Sequence, residues 1–422
     1  MLQKSPFVIR LIRWKSLLNS WQQIDWFLLI LVIGLTGLGG LTIRSTEINQ
    51  GLSDWLQHSI VGGIGLILAL AIARWRYEIL IQWHWLIYAL TNLSLIAVIE
   101  IGATAKGAQR WLTIGGFNIQ PSEFAKLGLI ITLAALLHKH PASKLPAVFR
   151  ALSVAAVPWA LVFLQPDLGT SLVFGAIALG MLYWANANLG WLVLMISPLV
   201  SAILFKLYFS GGLIWTAVMA LIAWLTLPWR FVAALGAIAV NFASGKLGVF
   251  LWGLLKDYQK DRLIGFLNPE KNPLGVGYQL IQSRIAIGSG ELWGQGLNQG
   301  TQTQLNFVPE QHTDFIFSAI GEELGFVGSI GLLLVFWLIC LRLVFIACTA
   351  KENFGSLLAA GVLSMIAFQV VINISMTVGL APITGIPLPW VSYGRSALLT
   401  NFLAIGLVES VANYRQRKRI KF

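Results

Sequence analysis

Residues 315–347 read FIFSAIGEELGFVGSIGLLLVFWLICLRLVFIA. A helix needs about 20 consecutive apolar residues to cross a bilayer, and this run is longer than one perpendicular span requires. A tilted or amphipathic extension is therefore expected at one end. Glu322 and Glu323 lie about two turns inside it and require partners or a polar cavity. Further apolar runs of near-spanning length occur at 25–43, 58–75, 84–102, 121–138, 149–165, 169–186, 188–206, 213–228, 231–255, 356–378 and 396–412. They predict an all-α fold: a polytopic membrane helix bundle of about twelve transmembrane helices. Ser244, Gly245 and Lys246 interrupt the run 231–255, which leaves its end open.

Composition excludes a water-soluble domain. Of 422 residues, 57% are hydrophobic and 11% charged, against about 25% charged in an average soluble domain. Mean hydropathy is +0.76. Eighteen Trp residues suit the interfacial belts of a many-pass protein. The net charge of +12 would also suit a nucleic-acid binder, but its distribution argues otherwise. Lys4, Arg10, Arg13 and Lys15 precede the first run, and Arg415, Arg417, Lys418, Arg419 and Lys421 follow the last. With twelve spans both termini share one side, and alternate loops on that side add Arg74, Arg76, Lys139, Lys144, Arg150, Arg230, Arg342 and Lys351. The positive-inside rule then assigns both termini to the cytoplasm, and no nucleic acid is needed. Topology explains the basic tail, 413–422, more simply than contact with anionic lipid. No A-x-A-like cleavage site follows residues 1–24, so an uncleaved cytoplasmic segment is expected there. Cys340 and Cys348 are separated by about 12 Å if helical, too far for a disulfide.

This topology puts two polar stretches outside: 103–120, and a large extracytoplasmic loop at 256–314. Four constellations stand out. Lys106-Gly107-Ala108-Gln109-Arg110-Trp111 precedes Gln120-Pro121-Ser122-Glu123-Phe124-Ala125-Lys126. Ser122 stands where an N-cap would. Glu123 and Lys126 share a helix face, either as a structural ion pair or as one wall of a cleft in which Lys106, Arg110 or Lys126 meets an anionic group. Asp167, in Gln165-Pro166-Asp167-Leu168-Gly169-Thr170, either caps the next helix or adds a second carboxylate to that cleft. The 256–314 loop holds Pro273–Tyr278 and Gly288–Gly296, glycine-rich without a phosphate-loop fingerprint, and ends in Pro309-Glu310-Gln311-His312-Thr313-Asp314. Asp314, at a helix start, reads as a cap or as a general base on the membrane rim. Finally, Thr384–Gly394 carries two prolines and two glycines, which predicts a re-entrant or broken segment buried in protein or lining a cavity.

In order along the chain, Lys106–Trp111, Gln120–Lys126, Gln165–Thr170, Gly275–Tyr278, Ile285–Gly290, Pro309–Phe317 and Pro387–Gly394 resemble the signatures of the SEDS family (shape, elongation, division and sporulation; the RodA/FtsW/SpoVE cell-cycle proteins). The wording of Lys106–Trp111, Gly300–Gln302 and His312–Asp314 is nearer the elongation branch. The resemblance implies a peptidoglycan glycosyltransferase that polymerises lipid II, an undecaprenyl-pyrophosphate disaccharide-pentapeptide, at the outer membrane face. It makes Asp314 the catalytic residue, a general base for an inverting transfer. It places Lys106, Arg110, Trp111, Glu123, Lys126, Asp167, Arg284 and His312 around the substrate. The cations would meet the pyrophosphate leaving group, and a divalent cation, Mg or Mn, is compatible with that group. Implied partners are a single-span class B penicillin-binding transpeptidase and other elongation-complex membrane proteins.

Two departures from the family pattern are Asn272, where an acidic residue is common, and Arg395, in place of a glycine. Members usually have ten spans, so 207–255 is expected to be a two-helix insertion within a single membrane domain of residues 1–422. Broken helices and intramembrane charges would also suit a transporter that flips the lipid-linked precursor. No selectivity-filter run supports an ion channel.

Overall fold

The computed structural model describes residues 24–48, 53–105, 108–114, 117–254 and 277–415, with residues 260, 265, 266 and 269. Lys106, Asn272, the first 23 residues, much of 255–276 and the tail beyond 415 lie outside the described residues. In chain order the helices are α1 (Trp26–Glu47), α2 (Asp54–Ala73), α3 (Leu80–Ile101), α4 (Pro121–Lys139), α5 (Leu145–Leu164), α6 (Leu168–Trp184), α7 (Leu189–Leu207), α8 (Phe209–Thr226), α9 (Arg230–Leu254), α10 (Tyr278–Ser289), α11 (Thr301–Gln304), α12 (Ile316–Thr349), α13 (Asn353–Val378) and α14 (Arg395–Asn413). Among the described residues eleven helices are long and apolar enough to cross a membrane, and α6 is a shorter apolar helix. Together they account for the twelve runs read from the sequence.

Burial ranks the helices. The spanning windows of α4 and α14 are 83% and 89% buried, those of α7 and α9 only 22% and 17%. Small residues let the central helices approach closely: a Cβ at Gly406 of α14 would stand 2.8 Å from the Ala69 Cα of α2. Helices α7, α8 and α9 pack mainly on one another and reach the rest of the bundle chiefly through α6.

Polar contacts define two ends. At one, the Asp25 carboxylate accepts from Leu28 N (3.2 Å) and from Arg342 Nε of α12 (3.1 Å), while Asp25 N donates to Glu409 of α14 (2.8 Å). At the other, Gln304 Nε2 donates to Ser45 O (3.1 Å) and Gln311 Nε2 to Thr46 O (3.3 Å). The described residues nearest the two termini thus share one end of the bundle, and residues 277–314 occupy the opposite end.

Four local expectations are revised. Residues 103–119 form a small antiparallel sheet, β1 (Ala103–Ala105), β2 (Ala108–Ile114) and β3 (Phe117–Ile119), in the order β1-β2-β3. It is the one departure from helix among the described elements. Gln120, not Ser122, occupies the cap position of α4, because the fixed φ of Pro121 suits the first helical residue. Helix α9 runs unbroken through Ser244–Lys246: Ser244 Oγ bonds back to Val240 O (2.7 Å), and Lys246 lies over the Phe242 ring (5.2 Å). Helix α12 does not extend as one tilted rod. It breaks at Gly325 (φ 65°, ψ −163°), a conformation open in practice only to glycine.

Candidate active site

At the break around Gly325, residues 291–296 pack against α12. Gln295 N and Gly296 N donate to the carbonyls of Glu322 and Glu323 (2.9 and 3.0 Å), and Phe326 N and Val327 N donate to those of Glu291 and Leu292 (2.9 and 3.1 Å). Each side of the break thus supplies the other's missing backbone partners. The Glu322 side chain, fully buried, accepts from Gln302 N (2.8 Å), Thr303 N (2.9 Å) and Thr303 Oγ1 (2.6 Å). Glu323 accepts from Asn298 N (3.2 Å) and from Ser45 Oγ of α1. These two acids anchor the loop.

With the loop fixed, residues 310–315 lead into α12. Asp314 precedes its cap residue, Phe315, and is half-buried. Asn373, fully buried in α13, holds its backbone. The Asn373 carboxamide donates to Asp314 O (3.0 Å) and also to Ile386 O (2.8 Å). The next contact repeats the theme: Tyr393 N donates to His312 O (2.9 Å), and the two rings lie 6.0 Å apart. Tyr393 OH donates to Gln57 Oε1 of α2 (3.1 Å). Burial, reinforced by the Asp54 charge, pushes the Tyr393 hydroxyl up to about 12, which keeps it a neutral donor.

Residues 380–394 hold no helix, as the prolines and glycines require. Ile386, Leu388, Trp390 and Val391 are almost wholly buried, so the irregular backbone is enclosed by protein. Gly39 of α1 permits this, since a Cβ there would lie 2.5 Å from Val391 O.

The same segment meets the other acidic site. Gly169, at the start of α6, packs directly on Thr384 O, leaving no room for a Cβ. Asp167 caps α6 by accepting from Thr170 N (3.2 Å) and Thr170 Oγ1 (3.0 Å). It also lies 3.7 Å from Arg110 Nη1 and 3.4 Å from Gln120 Nε2, so the cap residue of α6 also faces a cation. Arg110 Nη2 donates to Pro166 O (2.5 Å), and Gln120 N donates to Ser396 Oγ of α14 (3.0 Å). Residues 384–386 therefore tie the Arg110–Asp167 pair to the segment that carries Asp314.

Glu123 and Lys126 form an ion pair of 2.7 Å with both side chains almost fully buried. Trp111 stands on β2 beside Arg110. Arg284 is exposed and binds Gly379 O (3.1 Å) at the end of α13; beneath it Ser283 joins Ser318 of α12 (2.6 Å). Among the described residues no three His, Cys, Asp or Glu side chains converge in a way that could hold a metal. Sequence reading missed Asn373 and Ser396. Asn373 carried a usable signal, a carboxamide inside the apolar run 356–378.

The geometry can be set beside known proteins. The family model described as cell cycle protein, FtsW/RodA/SpoVE, matches residues 22–211 and 191–417. The chain belongs to this family. Among FtsW/RodA/SpoVE relatives, the peptidoglycan glycosyltransferase MrdB of Escherichia coli (strain K12) is 34% identical over 93% of this chain and 94% of its own. The peptidoglycan glycosyltransferase RodA of Treponema pallidum is 35% identical over 93% and 98%. In solved structures, a chain of a peptidoglycan synthase complex that coordinates polymerization and crosslinking aligns with TM-score 0.70 at 27% identity, covering 93% of this chain and 99% of that one. The rod shape determining protein RodA of Thermus thermophilus aligns with TM-score 0.61 at 25% identity, covering 93% and 98%. The two matches to the family model overlap at 191–211, around α7, where the α7–α9 group begins.

Proposed function

We propose that this multi-pass membrane enzyme, a peptidoglycan glycosyltransferase of the FtsW/RodA/SpoVE family, polymerises lipid II with Asp314 as general base. The supporting observation is the clamp at Asn373, which fixes the Asp314 backbone to the same broken segment that packs on the Arg110–Asp167 helix start. In this reading the Asp314 carboxylate takes the proton of the acceptor sugar's 4-hydroxyl as that oxygen attacks the anomeric carbon of the donor. The α-linked lipid pyrophosphate leaves and a β-linkage forms, so one displacement inverts the centre with no covalent sugar–enzyme intermediate. Arg110 faces the charge developing on the pyrophosphate, a role that the sequence pattern also gives to Lys106. Arg284 and Lys126 take lesser parts: one is bound at the end of α13, the other is neutralised by Glu123. Glu123 and Asp167 position cations, while Trp111 and His312 shape the rim.

The basic-residue distribution supports a cytoplasmic assignment of both termini, which puts the site on the extracytoplasmic face. Arg395, which opens α14, departs from the family pattern beside Ser396 and not at Asp314. A flippase would need a polar path between the two ends of the bundle. Leu129, Ile130 and Leu133 of α4 and Phe174 and Ile177 of α6, all fully buried and apolar, occupy mid-span instead. Its relatives' assembly into a polymerising and crosslinking complex supports a class B penicillin-binding transpeptidase as partner.

The test is glycan polymerisation from lipid II by purified protein, with and without the transpeptidase, comparing wild type with Asp314→Ala. Polymer lost in the variant, with folding and partner binding intact, is expected. Full polymerisation by Asp314→Ala would reject the base assignment.

A further inference from the structure

Between helices α7 and α9 lies a half-open cavity of about 190 Å³ lined by Leu194, Ser197, Gly236, Ala237, Val240 and Asn241. Two of its lining residues, Ser197 and Asn241, are polar, and both are buried between the helices. Asn241 is 1% exposed, and its carboxamide nitrogen donates to Ser197 Oγ (3.1 Å) and Ala237 O (2.9 Å), which uses both protons. The Oδ1 atom is buried and accepts nothing. Nearby hydroxyls cannot supply the missing donor: Ser197 donates to Leu194 O (2.8 Å) and Ser201 to Asn241 O (2.8 Å). An unmet acceptor inside hydrocarbon is costly. Beside it, a Cβ on Gly236 would meet no atom within 4 Å, so the space is open.

We infer that the α7–α9 cavity is a docking site for the transmembrane helix of a partner protein, one that presents a hydroxyl or carboxamide donor to Asn241 Oδ1. Depth selects this occupant. Asn241 lies near the middle of α9, roughly 16 Å from the Arg230 end at 1.5 Å per residue. Lipid donors reside at the interface, about 15 Å from the bilayer centre, so only another protein span brings a donor to that depth. A single buried water is poorly served, because water needs about three partners and the cavity offers one vacant acceptor. A second copy of this chain, meeting through the same face, has no donor to bring, since the cluster's protons are all committed. The shallow burial of α7 and α9 leaves their outer faces open to a helix.

The test reconstitutes the full chain in phosphatidylcholine vesicles with a labelled synthetic Leu/Ala helix carrying one central Gln, and with its twin carrying Leu. Energy transfer between helix and chain reads association. The Gln helix is expected to bind roughly three- to thirtyfold tighter than its twin, the range of one interhelical hydrogen bond. Asn241→Leu, which removes the acceptor, and Gly236→Leu, which fills the cavity, should each abolish that preference while leaving lipid II polymerisation unchanged. Equal binding of the two helices to the wild type would overturn the inference, as would a preference that survives both substitutions. Displacement of the Gln helix by a phospholipid hydroxylated at mid-chain would assign the site to lipid. Self-association of the chain, lost in Gly236→Leu, would assign it to a second copy.

Discussion

Replacing Asn373 with Leu tests whether a buried carboxamide sets the position of Asp314. Leucine matches the volume but donates nothing, so the Asp314 and Ile386 carbonyls both lose the Nδ2 donor that reaches them at 3.0 and 2.8 Å. Each buried group left unsatisfied costs about 1–3 kcal/mol. Asn373 Oδ1 is itself buried without a partner, so leucine relieves one such cost while creating two. The net destabilisation is then about 1–3 kcal/mol, small enough to leave a folded enzyme. Catalysis should suffer more. A reacting group displaced by about 1 Å loses on the order of 100-fold in rate, equivalent to about 2.7 kcal/mol of barrier. The assay pairs glycan-chain synthesis from lipid II with thermal unfolding in detergent. Asn241→Leu, which deletes another buried carboxamide in α9, is the control and should lower stability without lowering turnover. If Asn373→Leu polymerises within about threefold of wild type while its unfolding temperature falls, the clamp is structural and the reasoning fails.

Lys126→Met should strand Glu123 in the interior and cost about 3–5 kcal/mol; folded yield by size-exclusion chromatography should collapse and recover when Glu123→Gln is added. Gly325→Ala should cost at least about 1–3 kcal/mol, because φ of 65° with ψ of −163° excludes a side chain and the new Cβ would strike Gly294 N; scanning calorimetry reads the drop. Tyr393→Phe should leave the pH–rate profile between pH 6 and 10 unchanged in shape, because a hydroxyl raised to about 12 stays protonated throughout that window. A lost alkaline limb in that variant would show that Tyr393 titrates in the reaction.

The spans were legible because hydropathy and length suffice for a helix in lipid: α1 through α9 and α12 through α14 fall on the apolar runs. The separation of two polar ends was legible too, since Asp25, Arg342 and Glu409 meet at one end, while Gln304 reaches Ser45 of α1 at the other. The small sheet at 103–119 was not. Its strands are three to seven residues long and held by register, which carries little periodic signal. The α12 break was hidden for another reason. Gly325 looks like any small residue in a span, and only the loop folded onto it, through Glu291 and Leu292, shows why the helix must open there. Ser244–Lys246 misled in the opposite direction, because a polar triplet can stay helical when Ser bonds back along the helix and Lys lies over a ring. Asp167 was read as cap or cleft; it caps α6, one oxygen serving Thr170 N, while the group also faces Arg110.

Several buried acids among the described residues are held by their side chains. Glu322 is fixed by backbone N–H groups and a hydroxyl, Glu123 by Lys126, Asp25 by Arg342, and Asp167 by a helix start and Arg110. In each case the side chain is the part secured, which suits a structural anion whose charge must stay compensated. Asn373 secures Asp314 differently: it grips the backbone carbonyl, and the same amide grips Ile386. Holding a residue by its main chain fixes where its side chain originates, whatever that side chain itself contacts. The Asn373 clamp, which also grips the broken segment that packs on the Asp167 helix start, is the physical argument for the proposed placement of the chemistry at Asp314.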